Sequence, residues 1–362
     1  MFGGRGSDTE FLNDLHHLDL QRAPLILHQL SAAGDPPPPR CGGTLTAVAV
    51  SGRPGTEVVV VFGGSQGFNE GFSNSLYILQ GDIVQADSIS DAASQHMGLC
   101  WTEPIVHAFS AEDGVPDVRW GHSAVSWRGK LILFGGARPG PHTFNDTWIL
   151  DVAVPVGGGV RQLLATWRKL KVHAGVRPPV RAGHTASLVG DVLYVFGGCA
   201  SQGDDSTRNV CNDLWKLNLS ALEPRWEELH VTGTPPTPRV GHAAVVLGDR
   251  IVFSGGRGSP TANAIGKYAT EGGLATVQGH TFFAGGFAML DITRGRWMPI
   301  QHPKRSVSVQ NDDDGNDDEV HEQVWEHRSG HVMVPAARGL LVIGGLGYNG
   351  EFLNDVQRVG MF

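Results

Sequence analysis

The sequence predicts an all-β protein assembled from about six small sheets of four short strands. Three observations carry that reading: a Gly-Gly pair that recurs six times, an Arg-x-Gly-His at a constant distance before four of the pairs, and a tryptophan-bearing segment late in four of the units. Glycine supplies 50 of the 362 residues, roughly twice the usual share of about 7%. Such an excess is tested first for periodicity, because a missed repeat misassigns the whole fold.

The pairs begin at Gly3, Gly63, Gly135, Gly197, Gly255 and Gly344. Short apolar runs (VVVVF, LILF, VLYVF, RIVFS and LLVI) precede the last five. Upstream stand RWGH, RAGH, RVGH and RSGH, in which His122, His184, His242 and His331 each precede the first glycine by 13 residues. Downstream, Asn-Asp opens a further segment at Asn13, Asn145, Asn212 and Asn354, with Asn74-Ser75 as a variant. A fourth segment carries Trp101, Trp167, Trp226 or Trp297. Each full unit thus holds four segments of strand length separated by turn chemistry. Runs that are apolar on both parities suit strands covered on both faces. Four-stranded sheets stacked radially, the blades of a β-propeller, provide that cover. The glycine pair suits a sharp turn after the second strand, where a Cβ would clash.

Together, Arg-x-Gly-His, Phe-Gly-Gly, Asn-Asp and the later tryptophan resemble the kelch repeat, and the resemblance spans essentially the whole chain. It implies a propeller of about six blades over residues 1–362, with repeats near 1–39, 40–118, 119–180, 181–238, 239–327 and 328–362. It says less about function, because kelch propellers serve as substrate adaptors, as scaffolds and occasionally as enzymes. The chain departs from the pattern at both ends. The first unit lacks an Arg-x-Gly-His strand, and the last stops after its third strand. An uncovered inner edge is costly, so the sequence leads one to expect more chain upstream. A rival closure has Leu25 to Leu30 completing the last blade. Unit two reads Arg40-Cys41-Gly42-Gly43, and unit five replaces Asn-Asp with a loop from Arg257 to Gly286.

Because strands alternate in direction, the loops between strands two and three share one end with the connections between repeats. That end carries the inserts at Cys199 to Val210 and Arg257 to Gly286, an acidic insert at 304–326, and the Pro-rich connections DPPPPR, GVPDVR, GVRPPVR and GTPPTPR. Loops held by a rigid scaffold commonly carry function, so this end is the expected binding face. Arg40, Arg119, Arg181, Arg239 and Arg328 enter the innermost strands there and are expected to ring the channel mouth. Two readings stand for them: structural pairing between blades, or bidentate contact with acidic peptide side chains. The resemblance supports the second, since arginines at the matching position help bind acidic motifs in some kelch ubiquitin-ligase adaptors. His122, His184, His242 and His331 lie on different blades, too far apart for one metal with bonds of about 2 Å, and read as structural. So do the six glycines and Trp101, Trp167, Trp226 and Trp297. Cys199 and Cys211 flank one loop and read as thiols.

The net charge of −8 offers no basic face for nucleic acid. No apolar run approaches the roughly 18 residues of a membrane span, and the first ten residues read as no secretory leader. Four cysteines make no disulfide framework, which points to the cytoplasm, with the nucleus also open. H-E-x-x-H, G-x-S-x-G and the phosphate-binding loop are absent. The acidic insert fails the calcium-loop template, since placing Gly315 sixth puts Gln310 first and His321 twelfth. The sequence therefore predicts a non-catalytic adaptor or scaffold without metal or cofactor that binds a partner protein or acidic peptide. Two alternatives remain: the kelch domain of a larger ubiquitin-ligase adaptor or enzyme, and a sugar-processing kelch enzyme with acidic and histidine side chains in its channel.

Overall fold

The computed structural model describes residues 1–7, 9–20, 25, 27–67, 71–81, 98–140, 142–155, 162–200, 209–258, 282–283, 286–300, 305–308, 328–336, 339–347 and 350–360. Every regular element among them is a strand. The chain divides into two compact units, one of Met1–Leu18, Leu27–Ala174 and Pro179–Ala182, the other of Asp19–Ile26, Gly175–Pro178 and Gly183–Phe362.

In the first unit, Phe2–Arg5, Phe11–Leu18 and Leu27–Leu30 form a three-stranded antiparallel sheet. Thr44–Ser51, Glu57–Phe62, Leu76–Gln80 and Cys100–Thr102 form a four-stranded up-and-down sheet. Ser123–Trp127, Lys130–Ala137, Thr143–Ala153 and Leu164–Lys169 form another. Val58, Val60, Val61 and Phe62 are all at most 3% exposed, so both parities of the VVVVF run are covered, as its composition demands. Val60, Phe62 and Ile78 pack with Leu131, Leu133, Trp148 and Trp167 of the next sheet. A fully buried side chain of this size is worth about 1.5–3 kcal/mol relative to exposure, so the sheets hold one another through these runs.

In the second unit, Thr185–Val189, Val192–Phe196, Leu214–Asn218 and Trp226–Glu228 repeat the arrangement. So do Ala243–Leu247, Arg250–Ser254, Phe287–Asp291 and Arg296–Pro299. The last sheet contains Val332–Ala336, Gly339–Gly347 and Phe352–Val359.

Among the described residues, four sheets draw four strands from their own repeat, where six such blades were expected. The first sheet has three strands, ending at Phe2–Arg5 among the described residues. Two expectations are corrected. Leu27–Leu30 pairs with Phe11–Leu18, Leu15 facing Leu30, so it does not complete the last sheet. The last sheet gains an outer strand from the acidic insert instead: Arg305–Ser308, read as loop, pairs with Phe352–Val359. The physical reason is the row of backbone donors and acceptors that an edge strand leaves open. The rest of that insert, most of Arg257 to Gly286, and the middle of Cys199 to Val210 lie outside the described residues.

Candidate partner-binding site

Each motif arginine is a joint between consecutive repeats. Its N–H donates to the carbonyl of the residue just before the preceding repeat's Asn: Arg40 to Leu12, Arg119 to Ser73, Arg181 to Phe144 and Arg239 to Cys211, at 3.0–3.1 Å. Its carbonyl accepts from the second glycine of the preceding pair, as Gly64 donates to Arg119 at 2.8 Å. The side chain then turns back into its own repeat. Arg119 Nη1 donates to the Gly135 carbonyl at 2.9 Å, and its two Nη groups grip Asp146 at 2.8 and 3.1 Å. Arg328 does the same with Gly344 and Asp355. Where Ser75 replaces the Asp, Arg40 Nη1 donates to Gly63 and to Ser75 Oγ. Arg239, in the repeat without Asn-Asp, donates to the Gly255 carbonyl and to Thr237, and burial pushes its pKa down to about 10.

All five arginines are at most 3% exposed. Buried in this way, the guanidinium groups are engaged by their own repeats rather than presented to solvent, which accords with the structural reading of them. At Arg119 and Arg328 the carboxylate of the Asn-Asp captures the fork; burial alone would raise the Asp146 carboxyl, but Arg119 holds it below the usual carboxylate range.

The other motif residues serve the same joint. The first glycine of the pair is left-handed, φ +67° at Gly63, and a Cβ there would lie 2.7 Å from the Arg119 carbonyl and 2.8 Å from His122 Cε1. His122, His242 and His331 are hydrogen-bonded through Nε2 to Thr44, Thr185 and Ser254 of the preceding repeat, and His184 is equally buried. Burial and the neighbouring arginine hold His122 and His331 neutral, with pKa values near 3. Trp101, Trp167 and Trp297 pack against Phe2, Phe62 and Phe196 of the preceding repeat, with centroids 5.0–5.3 Å apart, and Trp226 is 3% exposed. The four cysteines are thiols. Among the described residues, no three His, Cys, Asp or Glu side chains come together as metal ligands, and no helix is long and apolar enough to cross a membrane.

Within each unit, hydrogen bonds tie the strand 2–3 loops to the connections between repeats. Asn13 donates to the Pro37 carbonyl, Asn74 to Pro116 and Asn212 to Pro236, at 3.2–3.4 Å. At the other end of the second unit, Thr293 of a 3–4 loop donates to Asp249 of a 1–2 turn. Two hollows open in the first unit, beside its strand 2–3 loops. One, of about 410 Å³, lies between the second connection and the third sheet and includes Asp113, Val115, Asp117, Asn145 and Lys169. The other, of about 270 Å³, includes Phe62, Leu76, Val106, Val115, Pro116 and Trp167.

Sequence reasoning missed the connection that separates them. Ile105–Ala108 runs as an extra strand parallel to Leu164–Lys169, and Ile105, Val106, Phe109, Val115 and Trp120 are 39–65% exposed. They make up half of the exposed large hydrophobics described in the chain. The available signal was the apolar stretch PIVHAF after Trp101, outside the four-strand pattern.

A family model, the KLHDC2/KLHL20/DRC7 Kelch-repeats domain, matches residues 98–305. Adagio protein 3 of Arabidopsis thaliana is 34% identical over 160 residues, 44% of this chain and 22% of that protein. Host cell factor 2 of Homo sapiens is 31% identical over 179 residues, 36% of this chain and 23% of that protein. The chain thus spans about a fifth of the length of the curated relatives it matches. A solved structure titled "Structure of YjhT" aligns over 98% of this chain and 92% of that chain, with a TM-score of 0.58 at 17% identity. The likeness shows the β-propeller fold.

Proposed function

The chain belongs to the KLHDC2/KLHL20/DRC7 Kelch-repeats domain family, and from that premise we propose that it is a non-catalytic interaction domain holding a partner protein or peptide at the end formed by the strand 2–3 loops and the repeat connections. The observation that carries this reading is the exposure of Val106, Val115 and Trp120 in and beside the two hollows of the first unit. Exposed aromatic and aliphatic groups beside pockets are the usual anchors of interfaces. We assign the five motif arginines to the joints between repeats. The acidic-peptide preference expected from them has no exposed guanidinium at those positions to support it.

A second reading, a kelch domain working within a larger adaptor or enzyme, is favoured by one observation: the curated relatives are several times longer than the matched segment. Affinity capture with quantitative mass spectrometry tests the primary reading. Trp120→Ala, at the proposed face, is expected to lose the proteins captured by the natural chain. Glu57→Lys, beside a 1–2 turn at the opposite end of the same unit, is expected to retain them. The reverse pattern overturns the choice of face.

A further inference from the structure

We propose that Ser75 is a phosphorylation site, and that its phosphate gives the second repeat the anion that Asp146 and Asp355 give theirs. The inference goes beyond the choice of binding face and does not depend on it.

In the third and last repeats, the carboxylate that follows the Asn takes both Nη groups of the motif arginine. The second repeat has Asn74-Ser75 at that place, yet its arginine is set for the same grip. Arg40 Nε donates to the Pro38 carbonyl and Nη1 to the Gly63 carbonyl, as Arg119 does to Asp117 and Gly135. Arg40 Nη1 also meets Ser75 Oγ at 3.0 Å, matching Asp146 Oδ1 against Arg119. A hydroxyl offers one oxygen where the carboxylate offers two. Arg40 Nη2 is accordingly buried with no hydrogen-bond partner among the described residues, in a residue only 3% exposed. Arg239, whose repeat lacks Asn-Asp, donates Nη2 to Thr237 Oγ1 instead. An unmet buried donor on a charged group is costly, and burial pushes the Arg40 pKa down.

Ser75 stands just before the strand Leu76–Gln80, is partly exposed, and lines the 270 Å³ hollow, which gives its hydroxyl a route to solvent. Glu103 lines the same hollow and is engaged by the hydroxyl of Tyr77. In the transfer, catalysed by a protein kinase, Ser75 Oγ attacks the γ-phosphorus of a nucleoside triphosphate. The Oγ–P bond forms as the bond from that phosphorus to the bridging oxygen breaks. The nucleoside diphosphate leaves, and the hydroxyl proton passes through the kinase to water. The product carries about −1.5 to −2 charges and three acceptor oxygens, which extend past Oγ to the unused Nη2. Phosphate and guanidinium commonly pair through two parallel bonds.

Two measurements on the full chain test this. Mass spectrometry of the chain recovered from its own cells, with phosphatases inhibited, is expected to find phosphate on Ser75. Recovery of that peptide in unmodified form alone overturns the inference. In the second measurement, phosphoserine is installed at position 75 by codon reassignment, and its phosphate is followed by phosphorus NMR as pH is varied. The second pKa is expected to fall by about one unit or more from its ordinary value of about 6, and to return towards that value when Arg40→Gln is added. Phosphoserine installed at the exposed Ser220 is expected to titrate at the ordinary value, a comparison that stands even if Arg40→Gln does not fold. The urea midpoint is expected to rise with phosphate at position 75 and with Ser75→Asp. An unshifted titration at position 75, or a midpoint lowered by its phosphate, overturns the inference. It falls even if Ser75→Asp stabilises, since Arg40 then accepts a carboxylate but not a phosphate.

Discussion

Gly256 donates its N–H to the carbonyl of Arg328, 2.8 Å away, across the boundary between two repeats. The same bond joins Gly4 to Arg40, Gly64 to Arg119, Gly136 to Arg181 and Gly198 to Arg239, at 2.8–2.9 Å. Phe-Gly-Gly of one repeat and Arg-x-Gly-His of the next are thus two halves of one joint. This gives the recurrence of both motifs a structural cause that needs no ligand.

The joint predicts a large difference between two glycines of the same backbone conformation. Gly63 and Gly248 have φ of +67° and +62°, but a Cβ meets the Arg119 carbonyl and the His122 ring only at Gly63, and nothing within 4 Å at Gly248. Gly248→Ala is expected to cost about 1–2 kcal/mol, the price of the left-handed conformation alone. Gly63→Ala adds overpacking of about 1–3 kcal/mol, measurable by urea unfolding.

Arg119 and Asp146 should be coupled. Removing one partner of a buried ion pair costs about 3–5 kcal/mol, because the other is left buried and alone. Arg119→Ala and Asp146→Ala are each expected to destabilise, with the double variant less destabilised than their sum by about 0.5–3 kcal/mol. An additive cycle contradicts the pairing.

Acid should loosen the joints before it protonates most carboxylates. His122 and His331 titrate near 3 in the folded chain against an ordinary 6.5, and His242 is also held well below that value. The unfolded chain therefore binds more protons below pH 6.5. The stability these histidines contribute is fully present above that pH and is lost as pH falls towards 3, at up to about 1.4 kcal/mol per pH unit for each. Asp146 and Asp355, both depressed, add to the loss below about pH 4. Urea midpoints between pH 7.5 and 4.5 check this, and His331→Gln is expected to flatten the slope by about one proton.

The four-strand repeat was legible because its signals are local. The covered run Val58 to Phe62, the turn glycines and the spacing from His122 to Gly135 all sit within one repeat. The burial of Arg119 was not, since its inward turn depends on Asp146, 27 residues on, and its backbone partners lie in the preceding repeat. Arg305–Ser308 forms a strand because a distant edge accepts it, which no property of Arg-Ser-Val-Ser announces. Ile105–Ala108 was hidden by its position, an apolar stretch in what the repeat pattern marks as a connection.

Hydrogen exchange followed by mass spectrometry on the free and partner-bound chain tests the division between joints and binding loops most directly. The amides of Gly64, Gly136, Gly198 and Gly256 are expected to exchange slowly in both states, while binding slows exchange in residues 103–120. Fast exchange at those glycines, or protection that appears instead at the 128–129, 190–191 and 248–249 turns, contradicts the account.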